Sequence, residues 1–137
     1  MTDPMTATFK STTLSVTIDR PWREVYDYAA DPDNMHHWAA GLGESFERSG
    51  DEWIIRDPGG NLVRMRFAAR NPYGVLDHDI TANGQTVHIA MRVMPNGDGA
   101  EVTFLLLQTP DLSDADYRRD AAAVRRDLET LKSILEQ

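Results

Sequence analysis

Hydrophobic and polar residues alternate in "TLSVTID": Leu14, Val16 and Ile18 fall on one side of the chain, Ser15 and Thr17 on the other. A period of two predicts a half-buried strand. The period then lengthens. Trp22, Val25, Tyr26 and Ala29 recur at helical spacing, and Pro21 suits the start of that helix, where its missing N–H would be unpaired anyway. "DPDNMHHW" restarts with Asp-Pro and predicts a second short helix or turn. From about Glu44 the period returns to two, and "ESFER", "EWIIRD", "NLVRMRFAA", "GVLDHDITA", "TVHIAMRVM" and "AEVTFLLLQ" read as six consecutive strands. "SGD", "PGGN", "NPYG", "NGQ" and "NGDG" between them are turn chemistry, so successive strands pair antiparallel as a meander.

The chain closes with "SDADYRRDAAAVRRDLETLKSILEQ", a long helix. Ser113 is placed to cap it, and Asp114 and Asp116 sit at the positive end of its dipole. Tyr117, Ala121, Val124, Leu128, Leu131 and Leu135 form one apolar stripe, which needs an apolar surface to cover it. The sheet is that surface. The expected architecture is α+β: a seven-stranded curved antiparallel sheet wrapped on a long C-terminal helix, with two short helices after the first strand. Residues 1–8 are expected to be a loose tail and 9–137 a single domain.

One hairpin carries enough chemistry to test for a site. Asn83-Gly84 reads as a two-residue turn, so residues whose numbers sum to 167 face each other. Leu76, His78, Ile80, Val87, Ile89, Met91 and Val93 then share one face, and Asp77, Asp79, Thr81, Thr86, His88, Ala90 and Arg92 the other. The first is the core face. His78 therefore points inward, away from His88, which pairs outward with Asp79. In the preceding strand Val63, Met65 and Phe67 alternate with Arg64 and Arg66, so the arginines join the aspartates outside, with Arg66 expected near Asp77 and Arg64 near Asp79. In the last strand Val102, Phe104 and Leu106 should face inward. Leu105 and Leu107 then point outward, where the N-terminal segment or a second subunit, in a homodimer, is expected to cover them.

Composition narrows the functional classes. Hydrophobic residues make up 41% and charged residues 26%, an ordinary globular balance. No cysteine occurs, which excludes disulfides, thiolate metal sites and cysteine nucleophiles. The formal charge of −8 carries no basic stripe, so nucleic acid is not an expected partner. "MTDPMTATFK" has neither the basic start nor the apolar run of a signal peptide, and no stretch approaches the roughly 20 apolar residues that span a bilayer. These features point to a cytoplasmic protein that does not insert into membranes.

The stretch "IDRPWREVYDYAADPDNMHHW" resembles the opening of START-like, or Bet v 1-like (SRPBCC), proteins: strand, proline, amphipathic helix, Asp-Pro, then Trp. "YGVLDHDITANGQTVHIAMRVMPNGDGAEVTFLL" is similar to the later hairpins of the polyketide cyclase/dehydrase-like and lipid-transport-like bacterial members. The resemblance implies a helix-grip fold with a deep cavity between sheet and C-terminal helix. It does not imply one activity, since that superfamily includes carriers, cyclases and co-chaperone-like proteins without a common catalytic motif.

The candidate lining residues of such a cavity are Tyr26, Trp38, Met65, Phe67, His78, Met91, Phe104 and Val124. The expected ligand is a small hydrophobic molecule: lipid-like, aromatic or polyketide-like. His78 has two readings. It is either a satisfied core histidine or a polar handle that bonds a ligand or acts as general acid–base in a cofactor-independent cyclase or dehydratase. A third reading is a co-chaperone-like interaction module using the outer face and Leu105/Leu107. Asp77, Asp79 and His88 supply at most three exposed metal ligands and read as a solvated charge ladder, so neither metal nor cofactor is expected. His36 and His37 are adjacent and diverge by about 100° on a helix, with one of them a candidate for the cavity mouth. Trp38 is either a structural plug or a ligand platform. Ala121–Ala123 either let helix and sheet approach or leave room for a ligand. "GLG" at 41–43 reads as a loop at the cavity entrance, and "DPGGN" as a hairpin turn outside any phosphate-loop context. The serines lie outside any nucleophile elbow.

Overall fold

Strand β1 (Ser11–Ile18) buries Leu14, Val16 and Ile18 and leaves the alternate residues outside, as its period requires. The computed structural model describes residues 8–39, 45–57 and 59–137. Residues 1–7, most of the expected tail, and the "GLG" at 41–43 lie outside the described residues. Helix α1 (Trp22–Ala30) follows, with Pro21 as its cap and Val25, Tyr26 and Ala29 buried. Asp31 then accepts a bond from the Asp33 N–H and starts a 3₁₀ turn over Pro32–Asn34, which runs into α2 (Met35–Trp38). Met35 and Trp38, three apart, face the core.

Six strands complete the sheet: β2 (Ser45–Ser49), β3 (Glu52–Arg56), β4 (Leu62–Phe67), β5 (His78–Ala82), β6 (Gln85–Asn96) and β7 (Gly99–Leu107). The order β1-β7-β6-β5-β4-β3-β2 is a meander from β2 to β7, with β1 added beside β7. All seven strands pair antiparallel.

The β5–β6 register is that of the two-residue turn: His78 faces Ile89, Asp79 faces His88 and Ile80 faces Val87. Asn83 and Gly84 both have positive φ, at 53° and 76°, as a type I′ turn demands. The pairing continues below β5 in the same register. The Leu76 N–H bonds the Met91 carbonyl at 2.8 Å, and the Val93 N–H bonds the Gly74 carbonyl at 2.9 Å.

The β4–β5 register corrects one expectation. Arg66 lies opposite Asp79 and Arg64 opposite Thr81, so the strand is offset by two residues from the expected Arg66–Asp77 and Arg64–Asp79 pairs. Parity is kept, which preserves every inward and outward assignment. The arginines instead reach back to the preceding hairpin, Arg64 to Glu52 at 3.6 Å and Arg66 to Asp51 at 3.5 Å. Asn71 sets the offset by organising the β4–β5 connection. Its Oδ1 accepts from the N–H of Tyr73 and of Val75, its Nδ2 donates to the carbonyls of Ala69 and Val75, and its own N–H donates to the Tyr26 hydroxyl.

Helix α3 (Asp114–Leu135) is capped by Ser113, whose Oγ accepts from the Asp116 N–H at 3.1 Å. Tyr117, Leu128 and Leu131 are buried, and Ala121, Val124 and Leu135 are partly covered against the core. The Tyr117 hydroxyl donates to the Leu106 carbonyl and meets Thr12 Oγ1, which ties the start of α3 to both β1 and β7. At the other end Lys132 Nζ donates to the Thr17 carbonyl, and Arg20 Nε donates to the Leu135 carbonyl. The helix thus grips the inner face from both ends. Leu105 and Leu107 do face outward and are half-buried.

Candidate functional site: an apolar cavity under the C-terminal helix

The inner faces of β4–β7 meet α2 and α3 around a partly open space of about 50 Å³. Alternation turns Met65 and Phe67 of β4, His78 and Ile80 of β5, Met91 of β6 and Phe104 of β7 toward it. Helical spacing brings Met35, Trp38 and Ala39 from one side and Val124, Asp127 and Leu128 from the other. Seven of the residues named from the sequence therefore line one cavity: Trp38, Met65, Phe67, His78, Met91, Phe104 and Val124.

Tyr26 does not line this cavity. Helix α1 turns it toward the β4–β5 connection, where its hydroxyl accepts the Asn71 N–H and Arg70 stacks on its ring. The sequence reasoning also missed Met35, Ala39, Ile80, Asp127 and Leu128. Their signal was present in the periods: Met35 is one turn before Trp38, Ile80 two residues after His78, and Asp127 and Leu128 one turn after Val124.

The space is far below the roughly 300–1,000 Å³ of an ordinary small-molecule pocket. The resemblance implied a deep cavity, and three flexible side chains account for the difference. Met35, Met65 and Met91 are fully buried and occupy the interior. A second, open cleft of about 560 Å³ lies outside, between α1 and the strands β2–β4. Its wall includes Asp27, Asp31, Arg48, Asp51, Trp53 and Arg70. Met35 and Phe67 line both cleft and cavity, so these two side chains are the partition between them. A groove of about 350 Å³ lies toward the start of α3, walled by Val87, Ile89, Leu106, Leu112 and Asp120, and meets the cavity at Ile80.

Two buried polar groups mark the apolar cavity. His78 is 6% exposed, and its ring lies 4.7 Å from Phe67 and 6.0 Å from Phe104. Its Nδ1 lies 2.9 Å from the Leu76 carbonyl. A carbonyl only accepts, so Nδ1 carries the proton and Nε2 keeps its lone pair. Burial pushes the His78 pKa down, which keeps this neutral form through neutral pH. Among the described residues Nε2 has no hydrogen-bond partner. Trp38 is also 6% exposed, and its indole Nε1–H is buried without a partner among the described residues.

The outward cluster is separate. His88 Nδ1 lies 2.8 Å from Asp79 and Nε2 3.4 Å from Asp77, so both ring nitrogens face carboxylates. Asp77 also accepts two bonds from Arg92 and one from the Met91 N–H, each at 3.0 Å. These contacts, Arg92 foremost, hold the Asp77 carboxyl at about 2. Among the described residues no group of His, Asp or Glu side chains is arranged to hold a metal ion. His36 and His37 are exposed beside buried Trp38, and their rings fold together at 4.0 Å instead of diverging. Neither lines the cavity or the cleft.

The family model described as "Polyketide cyclase / dehydrase and lipid transport" matches residues 10–136. The chain belongs to that family. Comparison with curated proteins gives no match. Solved structures show the same Bet v 1-like, helix-grip fold. Ara h 8.0201 superposes with a TM-score of 0.69 at 12% identity, covering 92% of this chain and 97% of that one. CalU16 from Micromonospora echinospora gives 0.68 at 18%, covering 98% and 78%. The Aha1 dimer from Colwellia psychrerythraea gives 0.72 at 14%, covering 93% and 96%. In this polyketide cyclase/dehydrase-type chain no described helix is long and apolar enough to cross a membrane. Family membership supports a fold that binds hydrophobic ligands, and the inner cavity is where this chain offers apolar walls with the His78 ring among them.

Proposed function

We propose that the protein binds a small, largely apolar molecule between the sheet and α3, with the ligand's polar atom at His78 and its bulk extending past Met35 and Phe67 into the outer cleft. The observation that carries this reading is the His78 ring, 6% exposed on an apolar wall, its Nδ1 held by the Leu76 carbonyl and its Nε2 without a partner among the described residues. A ligand that bonds Nε2 gains a hydrogen bond among apolar walls, where little water competes for it. Methionine walls adapt to ligand shape, so the small volume does not limit the ligand to that size. The test is saturable binding of a neutral apolar dye, N-phenyl-1-naphthylamine, at one equivalent per chain. His78→Leu should leave the fold intact and weaken a hydroxyl- or carbonyl-bearing competitor several-fold, as loss of one neutral hydrogen bond of roughly 0.5–1.5 kcal/mol requires. Absence of saturable dye binding would refute the reading.

One feature favours a second reading, a cofactor-independent cyclase or dehydratase. The Leu76 carbonyl holds His78 in the tautomer that presents a free basic nitrogen inward, as a general base requires. In that case His78→Leu lowers turnover of an aromatic or polyketide-like substrate by about 10²–10⁴-fold and leaves its binding little changed.

A further inference from the structure

We propose that the groove at the start of α3 is a binding site in its own right, and that it takes an organic cation: an amine whose apolar body lies along the groove and whose ammonium meets Asp120. The groove lies beside the inner cavity, which it touches at Ile80, and it stands independently of the reading above. Its volume of about 350 Å³ already falls within the roughly 300–1,000 Å³ of an ordinary small-molecule pocket. Alternation turns Val87 and Ile89 of β6 and Leu106 of β7 toward it. The turn between β7 and α3 brings Leu112, and that turn is bonded within itself. The Leu112 N–H donates to the Thr109 carbonyl at 3.0 Å, and Gln108 Nε2 donates to the Leu112 carbonyl at 2.9 Å and to Asp114 Oδ1 at 2.8 Å. Helix α3 supplies Asp120.

Charge in this groove has one sign. Asp111 and Asp120 line it, and among the described residues no lysine or arginine does. Asp111 is engaged, since its Oδ1 accepts from the Thr109 hydroxyl at 2.6 Å. Asp120 has no hydrogen bond or ion pair among the described residues. The sequence explains why. On a helix a side chain meets those three and four residues away, and for Asp120 these are Asp116, Tyr117, Ala123 and Val124. None is a cation. The adjacent Arg119 turns instead to Asp116, at 3.1 Å. Asp120 remains exposed, yet partial burial, aided by the charge of Asp116 and opposed by Arg119, pushes its pKa up.

An ammonium supplies what the groove lacks. Its N–H groups make charge-assisted bonds to Asp120 and its charge offsets that of Asp116, while the attached carbon body covers Val87, Ile89, Leu106 and Leu112. An alcohol can bond Asp120 but brings no charge. A carboxylate meets two carboxylates on a chain of formal charge −8.

Three probes that share one apolar body separate these cases: 4-phenylbutylamine, 4-phenylbutanol and 4-phenylbutyrate. Each is titrated near neutral pH into the full chain and followed by ¹H–¹⁵N correlation spectra. The amides of Ala82, Val87 and Leu112 report the groove, and those of Met65 and Met91 the cavity. The expected result is saturable binding of the amine with shifts at the groove amides, about five-fold tighter than the alcohol, between an exposed ion pair and a fully charge-assisted bond. The acid should bind most weakly. Added salt should weaken the amine and spare the alcohol. Asp120→Asn should bring the amine to within about two-fold of the alcohol, and Asp120→Glu should keep the preference.

Equal affinity for amine and alcohol in the native chain would overturn the assignment. So would a preference for the amine that survives Asp120→Asn, or an amine that shifts Met65 and Met91 and leaves the groove amides unmoved. Shifts that grow without saturating would mean adventitious attraction to an acidic surface and would overturn it as well. Groove and cavity have separate reporters, so either reading can fail while the other stands.

Discussion

His78 and His88 project from opposite faces of one hairpin, and their surroundings move their pKa values in opposite directions. The hydrogen bond to Asp79, aided by Asp77, raises His88 above its ordinary 6.5. A raised folded value means stability that is fully present below pH 6.5 and lost as pH rises through the folded pKa. His88→Ala should therefore cost most at about pH 5 and least at about pH 8.5, and never more than about 1 kcal/mol, the scale of exposed pairs. Urea unfolding at the two pH values checks this. Burial lowers His78, so the unfolded chain takes up a proton near pH 6.5 that the folded chain refuses. That stability is lost as pH falls below 6.5 toward the lowered value, and His78→Leu should flatten that part of the stability curve. Asp77 acts further down: its contribution is present above 3.8 and lost as pH falls through about 2.

Among the elements, α3 and the β5–β6 hairpin carry the architecture that holds the cavity. Leu128 and Leu131 are 2% and 0% exposed on the inward stripe of α3. Truncating either to alanine should cost about 2–5 kcal/mol by denaturant unfolding. A loss below roughly 0.5 kcal/mol, the ordinary surface range, would mean that the helix does not grip the sheet. Gly74, where the segment before β5 begins to track β6, has φ +76°, and a Cβ there would stand 2.1 Å from the Val93 carbonyl oxygen. Backbone cannot give way as the tip of a side chain can, and an L-residue in that region already costs about 1–3 kcal/mol. Gly74→Ala should destabilise by at least about 2 kcal/mol in the same assay.

For the whole molecule, the proposed binding mode requires Met35 and Phe67, which line both the small cavity and the larger cleft, to rearrange. Both are side chains, so the required motion is rotameric and leaves the sheet and α3 in place. A ligand that binds only the folded state stabilises it by mass action. At a hundredfold excess over its Kd it should add about 2.7 kcal/mol, which raises Tm on the order of 10 °C for a chain of this size. Thermal melts at increasing dye concentration test this, and a Tm independent of dye concentration would contradict it.

The division between what was legible and what was not follows the range of each interaction. The Asn83-Gly84 turn joins adjacent residues, so its two-residue geometry set the register around it and sent His78 inward and His88 outward. Alternation likewise assigned a face to Arg64, Arg66, Val102 and Phe104, because side-chain direction along a strand depends on the backbone alone. The offset of β4 against β5 was not legible, since parity leaves shifts of two residues open and the deciding contacts run from Asn71 to Tyr26 across the fold. Tyr26 was misplaced for the same reason: helical spacing says that it is buried, and only packing says against what. The sequence by itself determined the meander from β2 to β7, the helix that covers the sheet and the inward set of residues, because these rest on local periods and turns, whereas the place of β1 beside β7 is a long-range pairing. Only the tertiary structure decided that the methionines leave about 50 Å³, and that the Trp38 N–H ends without a partner among the described residues. Cavity volume and hydrogen-bond satisfaction are small remainders of many contacts among separate elements, which no local pattern encodes.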